Sequence, residues 1–254
     1  MNRLYNRLTV DRVSYLKLTA YNLKLKTKMS PVAYIESPFG EKFGIPRQAG
    51  MAPVVCRVVF LTEYRSVEAV RGLEGFDYVW LLWRFDTDGV WHPTVRPPRL
   101  GGNERVGVFA TRSPFRPNPI GLSSVRLLRV ALDEPDSPVL YVEGADLRDH
   151  TAIYDIKPYI PYADSHPDAR SGFAREPADR RLEVAFAEGV QLSDELKTAL
   201  AEVLGHDPRP RYHENPDRVY GMSYAGHEVK FRIDGDRLTV LEASLTASRT
   251  SPAE

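Results

Sequence analysis

Residues Gly107–Val130 read GVFATRSPFRPNPIGLSSVRLLRV. The second half, from Leu122, is an apolar run of β-strand character, and RVGVFA (105–110) just upstream is another. Between them stand Pro114, Pro117 and Pro119 with Arg112, Arg116 and Asn118. Proline fixes φ at its own position and pushes the preceding residue toward extended geometry. Ser113, Arg116 and Asn118 each precede a proline. The segment therefore predicts a stiff loop held between two strands, which loses little conformational entropy when it meets a ligand.

The same strand texture recurs on both sides. PVAYIES (31–37), APVVCRVVFL (52–61), DYVWLLWRF (77–85), VLYVEGADL (139–147) and AIYDIKPYI (152–160) are short apolar runs, most of them bounded by turn residues such as RGLEG, DTDG, RLGGN and LDEPDSP. Many short strands with almost no helix predict a closed or sandwich-like β domain. The unbroken YVWLLW run suits a strand covered on both faces. After Pro161 the chain turns polar and proline-broken, as a linker would. LEVAFAE (182–188) then reads as a strand. Ser193 caps a predicted helix whose first turn holds Asp194 and Glu195 at the positive end of its dipole. Leu196, Leu200, Val203 and Leu204 fall on one face, and Gly205 with Pro208 ends the helix. EVKFRIDGDRLTVLEA (228–243) alternates around Asp234-Gly235 as a hairpin. The predicted organisation is an N-terminal extension (1–29), a main β domain (30–165), a linker (166–179), a small α+β domain (180–246) and a tail (247–254). The extension carries seven basic residues against Asp11 alone up to Lys28 and reads as a disordered or untranslated lead-in or as an RNA-binding arm.

Bulk properties exclude several classes. The 254 residues carry 34 basic and 34 acidic side chains, so any anionic partner must be met by a local patch. The one cysteine, Cys56, lies in an apolar run, which fits a reducing cytoplasm and a structural thiol. No apolar stretch reaches the roughly 18 residues of a membrane span. The six histidines are scattered, so no metal site is expected. No glycine-rich dinucleotide or phosphate loop and no serine-hydrolase elbow is present.

Two segments carry chemistry. From Trp91 to Val130 every basic residue is arginine (Arg96, Arg99, Arg105, Arg112, Arg116, Arg126 and Arg129), opposed only by Glu104. The planar guanidinium binds phosphate or carboxylate through two hydrogen bonds. A barrel-closing turn with solvated arginines is the competing reading of that stretch. The second segment, GADLRDHTAIYDIKPYIPYADS (144–165), places Asp155 and Lys157 two apart on a strand, close enough to pair. Tyr159 and Tyr162 flank Pro161 and suit stacking on a base. Here the competing reading is a structural ion pair at a strand end.

RQAG, AVRGLEGF, WHPTVRPPRLGGNERVGVFATRSPFRPNPIGLSSV, DLRDHTAIYDIKPYIPYADS and DPRPRY (207–212) resemble the motifs of the TsaA-like (TrmO) family over roughly residues 31–245. That resemblance implies a single-sheeted β-barrel with a small C-terminal α+β domain, working as a homodimer in the cytoplasm. It implies methyl transfer from S-adenosylmethionine to N6 of threonylcarbamoyladenosine, beside the tRNA anticodon. Carried over by motif, the cofactor contacts are Pro46, Arg47, Gln48, Asp86, Thr87, Arg112, Leu122 and the backbone around Ala145, Asp146, Leu147 and Arg148. Family members carry a His-Gln pair where Asp86-Thr87 stands. Asp155 held by Lys157, with Asn118 and Tyr159, forms the expected catalytic group, and Arg96, Arg99, Arg116, Arg209, Arg211 and Tyr212 the expected RNA contacts, a domain-packing turn at Pro208 and Pro210 being the competing reading of DPRPRY. A cofactor- or RNA-binding module without catalysis, and a methyltransferase for a small amine, are the alternatives. The proline loop and the Asp155 segment are expected to converge inside the barrel on one pocket.

Overall fold

The structure, a computed structural model, describes residues 29–87, 89–174, 181–209 and 215–246, with Arg99 by its backbone alone. The basic extension up to Lys28, the tail, and Arg211 and Tyr212 of the expected RNA set lie outside the described residues.

In chain order the first eight strands are β1 (Ala33–Glu36), β2 (Val55–Phe60), β3 (Tyr78–Arg84), β4 (Thr94–Val95), β5 (Val106–Gly107), β6 (Ile120–Ala131), β7 (Val139–Glu143) and β8 (Ala152–Pro158). Six of them close into an antiparallel barrel in the order β1-β2-β7-β6-β3-β8, while β4 and β5 pair only with each other. Closure resolves the barrel-or-sandwich choice and leaves no open edge. The interior is side chain throughout: Ile35, Val58, Val79, Leu81, Val125, Leu140 and Ile153 are all buried.

The YVWLLW run behaves differently from the expectation. Val79, Leu81 and Trp83 point into the core, but Tyr78, Trp80 and Leu82 stand on the outer face, half-buried or exposed. Its apolar residues serve two surfaces, and period-two geometry separates them. RVGVFA also departs from a full strand. Only Val106–Gly107 pairs, and Val108–Ala110 turns into a 3₁₀ helix after the Val108 N–H donates to Pro93 O at 3.0 Å.

β8 contains one irregularity that matters. Leu82 faces Asp155 and Trp83 faces Ile153, so Tyr154 is an extra residue on the β8 side. Such a bulge re-aims the side chains beyond it. Ile153 and Ile156 both turn toward the core, and Asp155 and Lys157 are turned outward beside Leu82 and Trp80.

The remaining strands, β9 (Glu183–Phe186), β10 (Val219–Tyr224), β11 (His227–Asp234) and β12 (Arg237–Leu245), form a sheet ordered β10-β11-β12-β9. The helix Asp194–Leu204 follows β9 and buries Leu200, Val203 and Leu204. Ser193 Oγ accepts the Leu196 N–H at 3.2 Å, as its capping position predicts. The β11–β12 hairpin turns at Gly235, whose φ of 55° lies in the left-handed region. The helix stops at Leu204, but the left-handed residue after it is Asp207 (φ 50°) and not Gly205, which remains right-handed.

The register also fixes where the loops emerge. Trp83 lies opposite both Gly121 and Ile153, and Val55 opposite Glu143. The β1–β2 connection (37–54), the long β3–β6 connection (85–119) and the β7–β8 connection (144–151) therefore leave the barrel at one end. The β6–β7 turn marks the other. There Glu134 accepts from Arg57 (2.9 Å), Arg129 (2.9 Å) and the Tyr141 hydroxyl (2.7 Å), which holds its carboxyl below the usual range, the tyrosine hydrogen bond contributing most.

Candidate cofactor and acceptor site

The three converging loops enclose a cavity of about 590 Å³. That is in the range of small-molecule sites, roughly 300–1,000 Å³. Its walls are Lys42, Ile45 and Pro46–Gln48 from the first loop, Phe85–Thr87, Thr111, Arg112 and Pro114–Arg116 from the second, and Asp146, Arg148 and Thr151 from the third. Trp83, Ile120, Gly121 and Leu122 close it from the strand ends. The cavity thus sits at the end of the barrel, outside a fully packed interior, and not within it.

Nine expected cofactor residues line this one cavity: Pro46, Arg47, Gln48, Asp86, Thr87, Arg112, Leu122, Asp146 and Arg148. Ala145 and Leu147 are buried in the core and do not line it. Hydrogen bonds tie the walls together. Arg112 Nη1 donates to Gln48 Oε1 across the mouth. Arg148 Nη2 pairs with Asp86 Oδ2 at 2.9 Å, and Lys42 Nζ donates to the Asp86 carbonyl at 2.8 Å.

Beneath the mouth runs a directional chain. Trp83 Nε1 donates to Ser123 Oγ at 3.0 Å, and Ser123 Oγ donates to Asp146 Oδ1 at 2.5 Å. An indole N–H can only donate, so the serine proton must point at the carboxylate. Burial pushes the Asp146 carboxyl pKa up, while the Ser123 hydroxyl, the Ala49 N–H and the Arg112 charge pull it back. A cation-lined mouth above a buried carboxylate, with Ile45, Trp83, Phe85, Phe115 and Leu122 as apolar walls, fits a zwitterionic ligand carrying a flat ring.

Sequence reasoning did not single out Trp83, Ser123, Lys42 or Phe85. Ser123 was legible by parity, being a polar residue on the same strand face as Val125 and Leu127. Gly121 lies directly opposite Trp83, and a Cβ there would collide with the indole ring. Gly121→Ala is expected to displace Trp83, break the chain to Asp146 and lower stability by about 1–3 kcal/mol, the usual cost of overpacking. Denaturant unfolding and the Trp83 emission spectrum check this.

The expected catalytic group does not line the cavity. Asp155 Oδ2 and Lys157 Nζ pair at 2.8 Å on the outer face of β8, turned there by the bulge, which corrects the expectation of convergence inside the barrel. They are nevertheless neighbours of the cavity. Leu122 pairs with Leu82 and Leu82 with Asp155, so one outward row runs from the cavity wall to the ion pair. Two strand spacings make that row about 10 Å long. Tyr159 packs against Trp80 (centroids 5.6 Å) and Tyr78 (6.2 Å), and Asp164 Oδ2 accepts from Trp80 Nε1 at 3.0 Å. Asn118 is exposed on the proline loop, where its carbonyl accepts the Ile120 N–H at 2.8 Å.

The arginines divide. Arg116 donates to the carbonyls of Thr111 (2.9 Å) and Ser113 (3.2 Å) and so braces its own loop. Arg209 Nε pairs with Asp207 at 3.0 Å, and its Nη2 donates to Gly235 O at 3.4 Å; its half-buried guanidinium is committed to the fold. Arg96 is exposed, as are Trp91, Phe109 and Phe115 on the same connection. Among the described residues no group of three His, Cys, Asp or Glu could hold a metal ion. No helix among them is long and apolar enough to cross a membrane.

Residues 34–165 match the model of the tRNA-methyltransferase O N-terminal domain, and residues 179–245 that of the C-terminal domain of the same family. The Escherichia coli K12 tRNA (adenine(37)-N6)-methyltransferase is 41% identical over 215 residues, 80% of this chain and 91% of that protein. A Pseudomonas aeruginosa protein named as a putative S-adenosylmethionine-dependent methyltransferase, RcsF, is 42% identical over 206 residues, 76% of this chain and 87% of its own length. The crystal structure of TrmO from Pseudomonas aeruginosa superposes with a TM-score of 0.70 at 34% identity, covering 87% of this chain and 99% of that one. The chain belongs to the tRNA-methyltransferase O family.

Proposed function

We propose that this protein is an S-adenosylmethionine-dependent tRNA methyltransferase that modifies N6 of threonylcarbamoyladenosine, 3′ of the anticodon, as a cytoplasmic homodimer. The observation that carries the reading is the single cavity where Arg112, Gln48 and the buried Asp146 meet beside an outward row ending at Asp155. When bound, the cofactor supplies an electrophilic methyl group on a positively charged sulfur.

Arg112 and the other cations of the mouth would hold the carboxylate of the cofactor's amino-acid moiety, and Asp146 would meet its positive charge. Phe85, Phe115 and Ile45 offer apolar surface to the purine. The acceptor base lies along the outer row over Leu82, with Trp80 and Tyr159 as stacking surfaces. Asp155 already accepts the Ile156 N–H at 2.9 Å through Oδ1 and pairs with Lys157 through Oδ2. Each carboxylate oxygen keeps a further lone pair. Asp155 directs the exocyclic N–H, turning the nitrogen lone pair toward the methyl group. It would then take the proton released as the N–C bond forms and the methyl–sulfur bond breaks, the sulfur leaving as a neutral thioether. Lys157, paired with Oδ2 at 2.8 Å, holds the carboxylate in place. Positioning of this kind can supply up to about 7–11 kcal/mol of barrier reduction.

The outer row bears on assembly too. Tyr78, Ile120 and Leu122 are exposed, Trp80 and Leu82 half-buried, and together they make an apolar strip next to the cavity mouth. Such strips are covered in stable assemblies. A second copy seated near it would shield cavity and acceptor from water. Trp91, Phe109 and Phe115, exposed on the same connection as Arg96 and Arg105, combine stacking faces with charge, as RNA loops require.

The test is transfer of labelled methyl from S-adenosylmethionine to tRNA with and without the threonylcarbamoyl group. Label is expected on modified tRNA only, with nucleoside mass analysis locating it on N6. Equal labelling of both tRNAs would remove the threonylcarbamoyl requirement, and no labelling would leave a binding module. Affinity for tRNA is expected to fall linearly on a log–log plot against salt, with a slope of about −0.7 for each phosphate contacted in a single-stranded loop. A flat response would point to a small-molecule acceptor.

A further inference from the structure

We infer that the C-terminal sheet is the scaffold of one cavity wall, and that Phe43 is the positioning residue which couples them; the inference rests on the reading of the cavity as the cofactor site. The β1–β2 connection spans residues 37–54 without a barrel strand of its own. Loops that long are mobile unless packed. This one lies between the cavity and the C-terminal sheet, and its residues divide between the two.

Facing the sheet, Phe39 forms a bridge with Tyr224, their rings edge-on at 5.6 Å, and the Ala225 N–H donates to Pro38 O at 2.7 Å. Glu41 Oε1 accepts the Ser223 N–H at 3.0 Å. Phe43 stacks on both Tyr220 (6.2 Å, 13°) and Phe231 (6.3 Å, 7°), which also stack on each other. Gly44 approaches so closely that a Cβ would lie 2.8 Å from Met222 Sδ. Facing the cavity, Lys42, Ile45, Pro46, Arg47 and Gln48 form its wall, with Gln48 holding Arg112.

The segment runs through bends and a turn that send residues 39, 41 and 43 to the sheet and Lys42 between them to the cavity. A second fastening lies at the far end of the wall. Arg47 Nη2 donates to the carbonyls of Asp207 (3.3 Å) and Arg209 (3.2 Å), the start of the DPRPRY motif. Arg209 is itself held by Asp207 and Gly235. Asp207 and Arg209 therefore work as a strut under the cofactor loop. The C-terminal domain thereby pre-orders the wall, so that binding need not supply the ordering entropy.

The decisive variant is Phe43→Ala in the full chain, because its ring points away from the cavity. The Kd for S-adenosylmethionine is expected to rise about tenfold and the KM with it, while kcat at saturating cofactor and the Kd for tRNA stay within about twofold, the split that lost preorganisation of one wall predicts. Phe43→Leu, which keeps an apolar plug, is expected to recover most of the affinity. Should Phe43→Ala not fold, Glu41→Ala removes an exposed fastening and is expected to weaken cofactor binding by about threefold. Unchanged cofactor affinity in the folded variants, or loss of tRNA affinity alone, overturns the scaffold role. Arg112→Ala separates the two readings. If it weakens cofactor binding and Phe43→Ala does not, only the scaffold fails; if neither does, the cavity is not the cofactor site.

Discussion

Asp155→Asn is expected to lower methyl transfer at saturating cofactor by about 10²–10⁴-fold, the range of a lost general base. The amide is nearly isosteric but has one oxygen instead of two, no charge, and no capacity to take a proton. Cofactor affinity should change by less than about twofold, since Asp155 stands two strands from the cavity wall. The pairing with Lys157 gives an internal control. Lys157→Met removes the partner that holds Oδ2 at 2.8 Å and so loosens the carboxylate's orientation; turnover should fall while cofactor affinity is kept. Single-turnover rates of the two variants, measured with fully modified tRNA, decide the matter. Wild-type turnover in Asp155→Asn would end the assignment.

Arg112→Ala acts on binding instead. It removes the guanidinium that spans the cavity mouth to Gln48, and with it one charge that holds the buried Asp146 carboxyl down. Charge-assisted hydrogen bonds of this kind contribute about 1.5–3 kcal/mol, so the Kd for S-adenosylmethionine should rise roughly 10–150-fold. The pH dependence has a definite sign. Burial already raises the Asp146 pKa, and the ionised form is the one that attracts the cationic cofactor. Affinity is therefore complete above that pKa and lost as pH falls through it. Without Arg112 the pKa rises further, and the acid limb shifts to higher pH. Asp146→Asn should abolish the limb altogether. Isothermal titration at several pH values measures all three proteins, and a limb that stays in place in Arg112→Ala would refute the coupling.

Much of this was readable in the chain before any coordinates. Prolines at 114, 117 and 119 announced a rigid loop, and the loop does form one side of the cavity with Arg112 in it. Short apolar runs announced a β domain, since alternation and turn residues are local properties. What stayed hidden was long-range. Nothing near Phe43 in GEKFGIP shows that it packs on Tyr220 and Phe231, because the contact spans most of the chain. Arg116 and Arg209 read as free cations for RNA, yet each is used by the nearest carbonyls or carboxylate, a choice settled by loop geometry that composition does not encode. The outer placement of Asp155 was illegible for a related reason. Simple alternation puts it on the face of Ile153, and only the ladder reveals the added residue between them.

That extra residue constrains any idealised rebuilding of the barrel. A perfectly regular eighth strand, favoured for its hydrogen bonding, would aim Asp155 and Lys157 at Leu81 and Val79 and hide two charges in oil. Tyr154 therefore matters first as a spacer, whatever its ring contributes, and a stabilised version of this protein must retain the irregularity that a smoother ladder would erase.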